Sequence, residues 1–211
     1  MPIASVYIHV PFCRTRCHYC DFVTRATSDP IPDTYVDGLL REINRKRGHL
    51  ARIVTVFFGG GTPSLLAPAQ LEQVLNRLAQ QPGICPDAEI TLEANPDDIT
   101  ETLARSWREL GINRISIGVQ SLDNRVLRYL GRRHDADRAR RAVETVAGIF
   151  DNWSVDLIFG APSRDTLEPT LREIIRVALP HLSVYGLTWE PGTPLYGRLD
   201  DAPDDETWLE L

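Results

Sequence analysis

The sequence lacks the features that would place a protein within a membrane or on a nucleic acid. No apolar run approaches the roughly 20 residues that a membrane-spanning helix requires. The amino terminus, MPIASVYIHVPFC, has no basic segment ahead of a long apolar core, so we do not expect a secretory signal. We expect a cytoplasmic location instead. Positive charge is also in deficit, with 23 Lys and Arg against 29 Asp and Glu. This balance argues against non-specific binding to nucleic acid and against attachment to an anionic lipid surface.

Cysteine is scarce too, but three of the 4 cysteines lie in one short segment. In a reducing cytoplasm, cysteines indicate metal or redox chemistry more than disulfides. Residues 13–20 read CRTRCHYC, which has C-x3-C-x2-C spacing. Thiolates of Cys13, Cys17 and Cys20 can hold a [4Fe–4S] cluster and leave one of its four irons without a protein ligand. An open coordination position is what a metal site needs to bind a substrate directly.

Two other interpretations of these cysteines stay open. A zinc site would need a fourth ligand, for which His18 is the obvious candidate, but His18 directly follows Cys17 and neighbouring side chains rarely converge on one ion. A redox dithiol formed by CHYC explains neither Cys13 nor the glycine-rich segment described below. Cys85 stands alone in GICPD, is expected at the opposite end of the sheet, and is interpreted as an ordinary buried or loop residue.

Short apolar segments alternate with segments of helical periodicity along the chain. Six strand–helix units in succession predict an α/β fold with a parallel sheet and right-handed crossovers, in one domain. The predicted strands are Ile3–His9, Ile53–Phe58, Glu89–Ala94, Arg114–Val119, Val155–Phe159 and His181–Leu187. The predicted helices are Asp33–His49, Pro68–Gln80, Thr100–Leu110, Asp123–Leu130, Ala136–Phe150 and Leu167–Leu179, and Asp204–Leu211 is expected to begin another.

The unusual motifs follow the predicted strands. In chain order they are the cysteines, GGGTPS, EANP, GVQS, DLIFGAP and LTWEPGTP. In parallel α/β proteins, whether barrels or open doubly wound sheets, ligands bind at the carboxyl ends of the strands. We therefore expect these six motifs to converge on one rim.

Within the motifs, several residues suit ligand binding. The three glycines at 59–61 let the backbone approach a ligand, and a phosphate-binding loop is disfavoured because no GK[ST] follows them. Glu93 and Asp156 are carboxylates on apolar strands, where each needs a ligand or a structural ion pair to offset its burial. The same reasoning applies to Gln120 and Arg132.

The motifs VYIHVPFC, FFGGGTPS, EANP, RISIGVQS, DLIFGAP and LSVYGLTWEPGTPL resemble the oxygen-independent coproporphyrinogen III oxidase family of the radical S-adenosylmethionine (SAM) superfamily. The resemblance runs from Val6 to about Leu195. It implies a parallel (β/α)6 partial TIM barrel over residues 1–198, with residues 199–211 beginning a C-terminal region. It also implies a [4Fe–4S] cluster on the three cysteines, with SAM chelating the open iron. The residues that the resemblance places against SAM or substrate are Tyr7, Tyr19, Gly60, Gly61, Thr62, Glu93, Gln120, Arg132, Asp156 and Thr188.

Within this family, the sequence favours the HemW-like heme chaperone branch. The oxidases carry a further cysteine where this chain has Phe22, and an N-terminal extension where this chain reaches its first strand at Ile3. The resemblance implies a protein that binds the cluster, SAM and heme as cargo, delivers heme to acceptor proteins, and associates peripherally with membrane-bound acceptors. The alternative is a coproporphyrinogen III oxidase that decarboxylates porphyrinogen propionates, so whether the chain is an enzyme stays open. An enzyme acting on RNA is disfavoured by the acidic charge, and no histidine is assigned as a heme ligand.

Overall fold

The computed structural model describes residues 3–49, 52–80, 83–162, 167–204 and 206. The strands are β1 (Ile3–Val10), β2 (Phe12–Cys13), β3 (Arg25–Ala26), β4 (Arg52–Gly60), β5 (Ile84–Ala94), β6 (Arg114–Gln120), β7 (Trp153–Phe159) and β8 (His181–Gly186). The helices are α1 (Asp33–Lys46), α2 (Pro68–Ala79), α3 (Glu101–Glu109), α4 (Asn124–Tyr129), α5 (Ala136–Ala147) and α6 (Leu167–Ile175).

Six of these strands form one parallel sheet in the order β1-β4-β5-β6-β7-β8. All six predicted strands are present, and the predicted parallel α/β fold is confirmed. Because the order in the sheet follows the order in the chain, right-handed crossovers place the connecting helices on the same side of the sheet. The opposite face of the sheet therefore stays free of these helices, whereas α4 reaches the carboxyl ends of the strands and contacts the segment at residues 13–20.

The hydrophobic core lies between the sheet and this helical layer. Its largest fully buried side chains include Phe58 and Ile115 from the sheet and Trp107 from α3. In α2 the apolar residues at helical spacing, which predicted this helix, are buried, as are Ala139, Val143 and Val146 of α5. The core therefore rigidly supports the strands whose ends carry the motifs.

Side-chain caps fix where several helices begin. The Thr100 hydroxyl accepts a hydrogen bond from the Leu103 N–H at 3.2 Å, so α3 begins one residue later than predicted. Asp123 and Asp135 cap α4 and α5 in the same way. The prediction of a helix to Leu179 was wrong at its end, because α6 ends at Ile175 and Ala178 adopts a left-handed φ of 50°.

A short parallel pair of strands, β2 with β3, was not predicted, and it encloses the cysteine segment. Cys85 is buried within β5, in keeping with its interpretation as a structural residue. Across the described ranges, none of the helices is both long and apolar enough to cross a membrane. Most of the predicted helix at 204–211 lies outside the described residues.

Candidate functional site

A cavity of about 410 Å³ opens at the carboxyl ends of the strands. Its wall takes residues from the ends of β2, β4, β5, β6, β7 and β8. The prediction that the strand-end motifs meet at one rim is therefore confirmed. Pockets for small molecules and cofactors typically have volumes of about 300–1,000 Å³, so the cavity is large enough for such a ligand.

The cysteine segment forms one side of this cavity. Cys13, Cys17 and Cys20 are free thiols, and all three line the cavity. Pairing of β2 with β3 closes the segment into a loop, since the Thr27 N–H donates to the Cys13 carbonyl at 2.8 Å. Burial raises the pKa of the Cys13 and Cys20 thiols, so in the metal-free protein both favour the protonated form. Metal binding would release these protons, because the thiolate is the ligand.

His18 is held away from the cysteines by α4. Its Nδ1 lies 2.9 Å from the Tyr129 carbonyl oxygen, and its backbone N–H donates to Leu130. A Cβ at Gly131 would lie 2.6 Å from the imidazole ring, so glycine is needed for this contact. Among the described residues, no group of three or more His, Cys, Asp or Glu side chains is arranged around a single ion. A four-iron cluster holds its thiolates farther apart than one zinc ion does, because each binds a different iron.

The glycine-rich segment packs closely against the cysteine loop. Gly60 adopts a φ of +116°, which glycine allows without strain. A Cβ on Gly61 would lie 2.7 Å from the Phe12 carbonyl oxygen and 2.9 Å from the Cys13 sulfur. The neighbouring Thr62 is buried, and its hydroxyl opposes the rise in the pKa of Cys13. The glycines therefore bring the end of β4 directly against the cysteine nearest to it.

Two carboxylates also line the cavity wall. Glu93 Oε2 accepts a hydrogen bond from the Gly60 N–H at 3.2 Å, and Asp156 accepts one from the Ser116 hydroxyl at 3.0 Å. Burial raises the pKa of Glu93 to about 7, and the negative charge of Asp156 adds to the rise. Burial also raises the pKa of Asp156. In the described part of the chain neither carboxylate forms an ion pair within 4.0 Å, although the charge of Arg114 opposes the rise in the pKa of Asp156.

Arg132 joins the cysteine loop to the ends of β5 and β6. Its guanidinium donates hydrogen bonds to the Cys17 sulfur at 3.3 Å and to the Tyr19 hydroxyl at 3.4 Å. It also donates to the Asn95 side-chain oxygen and to the Gly118 carbonyl. The positive charge therefore sits beside a cysteine at the cavity wall.

Comparison with protein families decides what this arrangement is. The model of the Radical SAM superfamily matches residues 7–174, a span that includes the cysteine loop, the glycines, both carboxylates and Arg132. The chain belongs to the radical SAM superfamily.

Several relatives within the superfamily are similar to the whole chain. It is 38% identical to the heme chaperone HemW of Escherichia coli, over 100% of this chain and 57% of that protein. It is 40% identical to HemW of Synechocystis, over 92% and 49% respectively. Its fold matches the solved structure of the E. coli coproporphyrinogen III oxidase HemN, a radical SAM enzyme, with a TM-score of 0.89 and 28% identity, over 99% of this chain and 50% of that one. The chain thus spans about half the length of these relatives.

The structure of this radical SAM chain brings most of the predicted site residues together. Tyr7 is the exception, because it does not line the cavity: the residue is 59% exposed, its ring stacks on Phe57, and its hydroxyl lies 3.3 Å from His9 Nδ1. Gln120 is buried and adopts a φ of 66°, a left-handed conformation that is uncommon outside glycine. The predicted residues in the cavity wall are Cys13, Cys17, Tyr19, Cys20, Gly60, Gly61, Thr62, Glu93, Gln120, Arg132, Asp156 and Thr188.

Sequence reasoning missed other residues of the site. Asn95 joins Arg132 to Thr62, since its side-chain nitrogen donates to the Thr62 hydroxyl at 3.2 Å. The sequence did contain a signal for Asn95, because this residue lies two positions after Glu93 in the EANP motif. Ser116, which holds Asp156, carried no comparable signal, because a serine in an apolar strand has many structural uses.

Proposed function

We propose that this radical SAM protein binds a [4Fe–4S] cluster and SAM and acts as a cytoplasmic heme chaperone that delivers heme to acceptor proteins. The observation that carries the proposal is the convergence of three free thiols, a glycine cradle and two partly buried carboxylates on one cavity. Peripheral association with membrane-bound acceptors is part of the same proposal, as is the division into a core of residues 1–198 and a region that begins at 199.

The residues present fit an iron–sulfur cluster. Three thiols on one loop are the donors that such clusters prefer, and Gly61, which has no Cβ, lets the end of β4 approach Cys13 closely. Cys13, Cys17 and Cys20 would hold three irons. When bound, the cluster supplies one-electron reduction and one iron that is open to a ligand from the cavity.

The residues also fit SAM, which carries a sulfonium cation and an α-amino group. Glu93 and Asp156 supply negative charge to the cavity, and burial raises both of their pKa values. A cationic ligand would favour the ionised carboxylates and so offset the cost of their burial. The flexible backbone of Gly60 and Gly61 presents peptide groups to the same space.

One residue in the cavity wall favours heme carriage over the oxidation of coproporphyrinogen III. Phe22 lines the cavity and is 62% exposed, at the position where the related oxidases carry a further cysteine. The HemW relatives also cover the whole chain or nearly all of it. The second candidate function, oxidative decarboxylation of coproporphyrinogen III, is favoured by the close structural match to HemN.

The experiment uses the full-length protein, because the relatives are about twice as long as this chain. After anaerobic reconstitution, iron and sulfide are quantified, SAM and heme are titrated, and the reduced protein is incubated with coproporphyrinogen III. Stoichiometric heme binding, transfer of that heme to an apo-acceptor and no decarboxylated product support the chaperone. Formation of protoporphyrinogen IX, together with 5′-deoxyadenosine, would instead establish the oxidase.

A further inference from the structure

Arg132 occupies an unusual position for a residue expected to bind SAM. It follows α4, and Gly131, with a φ of +70°, ends this helix. The Arg132 N–H donates a hydrogen bond back to the Leu127 carbonyl at 2.8 Å. From this fixed backbone the guanidinium reaches the cysteine loop. The contact with the Cys17 sulfur, at 3.3 Å, falls within the range of a hydrogen bond to sulfur.

A chain of hydrogen bonds runs from Cys17 through this guanidinium to the residues that follow β4 and β5. Arg132 donates to Cys17 and to Asn95, and Asn95 donates to the Thr62 hydroxyl. Gly61, next to Thr62, packs against the Cys13 sulfur. These contacts therefore tie Cys17, and through the glycine segment Cys13, to the ends of β4 and β5.

The charge of Arg132 has an electrostatic consequence at the same place. Arginine stays protonated in proteins, so a full positive charge lies beside the Cys17 sulfur. A reduced cluster carries one more negative charge than an oxidised one, and hydrogen bonds to its sulfurs and nearby positive charge favour the reduced form. The partly buried position limits screening by water.

We infer that Arg132 is a positioning residue for the cluster, which fixes Cys17 relative to Cys13 and makes the bound cluster easier to reduce. The inference rests on the cluster-binding part of the proposed function and not on heme carriage. It assigns Arg132 a partner other than SAM, because its guanidinium donates hydrogen bonds to Cys17, Tyr19 and Asn95.

The test compares the cluster in four full-length proteins: wild type, R132K, R132M and R133M. Arg133 is the matched control, since it is the next residue, carries the same charge and is exposed. Each protein is reconstituted anaerobically, its iron is quantified, and its cluster is titrated electrochemically with EPR detection. ENDOR in D2O, recorded on the reduced cluster, detects exchangeable protons that are hydrogen-bonded to cluster sulfur.

For R132M we expect a roughly tenfold lower equilibrium constant for reduction, which is about 59 mV for a one-electron couple, and loss of an exchangeable-proton coupling. R132K should fall between R132M and wild type because it keeps the charge but not the fork of donors. R133M should match wild type. Loss of the cluster from both Arg132 variants, with wild-type circular dichroism, would also support the positioning role.

The inference is overturned if R132M and R132K match wild type in iron content, potential and proton couplings. It is overturned equally if R133M shifts the potential as much as R132M, because the effect would then be one of net charge. Absence of a cluster from wild type and R133M would instead overturn the proposed function itself. The outcomes are therefore distinguishable.

Discussion

Glu93 and Gly60 are joined by a hydrogen bond across neighbouring strand ends, with the Gly60 N–H donating to the Glu93 carboxylate at 3.2 Å. The bond ties the glycine segment of β4 to the end of β5 and fixes where the carboxylate stands in the cavity. It favours the ionised form, but burial outweighs it, and the pKa of Glu93 is raised to about 7. The charge of this residue therefore changes within the physiological pH range.

SAM affinity should depend on the ionisation of Glu93. A group with a pKa of about 7 is mostly ionised at about pH 8 and mostly protonated at about pH 6. If the cationic ligand requires the carboxylate, its apparent affinity should fall about tenfold between these two pH values. Isothermal titration of the anaerobic holoprotein with SAM, at several pH values, measures this dependence.

The variant E93Q should bind SAM more weakly at about pH 8 and lose most of the pH dependence. Glu72→Gln, an exposed change in α2, serves as the control and should behave as wild type. Equal pH dependence in E93Q and wild type would show that another group, in the protein or in SAM, is responsible.

The same substitution should stabilise the empty protein. Because the pKa of Glu93 is raised in the folded state, from 4.5 to about 7, the folded state binds more protons than the unfolded state between these values. The free energy of unfolding therefore falls as pH rises through this window. E93Q, whose amide oxygen can still accept from Gly60, should be more stable by about 1 to 3 kcal/mol at about pH 8.

Most of that gain should disappear at about pH 5, where the wild-type carboxyl is already protonated in the folded state. Urea unfolding of wild type and E93Q without cluster, at both pH values, measures the difference. A gain of equal size at both pH values would show that the effect does not arise from ionisation.

The sequence was sufficient to predict the fold because its local patterns and its topology agree. Each strand was found from an apolar run, and six successive units with right-handed crossovers predicted a parallel sheet, while the choice of a partial barrel over an open doubly wound sheet came from the resemblance. The same logic predicted that the strand-end motifs meet on one cavity, whereas the individual ligand residues came from the resemblance. Strand ends therefore carried more information than the residue types alone.

Other features depend on three-dimensional contacts that no local pattern records. The pairing of β2 with β3 involves two residues on each side, too few for a periodicity. The partners of Arg132 come from three separate segments, so its contact with Cys17 was not predictable from its own motif. Tyr7 lies on β1 as expected, but stacking on Phe57 holds its ring outside the cavity wall.

Gly61 tests how closely the glycine segment must approach the cysteines. In G61A the new Cβ would lie 2.7 Å from a backbone oxygen and 2.9 Å from the Cys13 sulfur, so the loop must shift. We expect a loss of about 1 to 3 kcal/mol in stability and a lower iron content after reconstitution. Gly197→Ala is the control, because nothing lies within 4 Å of the Cβ it would add. Iron content in G61A equal to that in G197A would mean that this close approach is not needed for the cluster.

The four cysteines should separate into two classes when each is changed to alanine. Cys13, Cys17 and Cys20 share one loop at the cavity, whereas Cys85 is buried in the irregular first part of β5, far along the sheet from its carboxyl end. The C13A, C17A and C20A variants should each lose the iron–sulfur absorbance and most of their iron, because a cluster on three thiolates tolerates no missing one. C85A should retain wild-type iron, with a loss of stability of about 1 kcal/mol from the small cavity it leaves. Iron and zinc contents and acid-labile sulfide are measured for each variant. The iron content shows which cysteines hold the cluster, and the ratio of iron, zinc and sulfide shows which kind of metal site is present. Zinc in place of iron, with no sulfide, would contradict the proposal of an iron–sulfur cluster. Iron loss in C85A equal to that in C17A would show that the three cysteines of the loop are not the only ones the cluster needs.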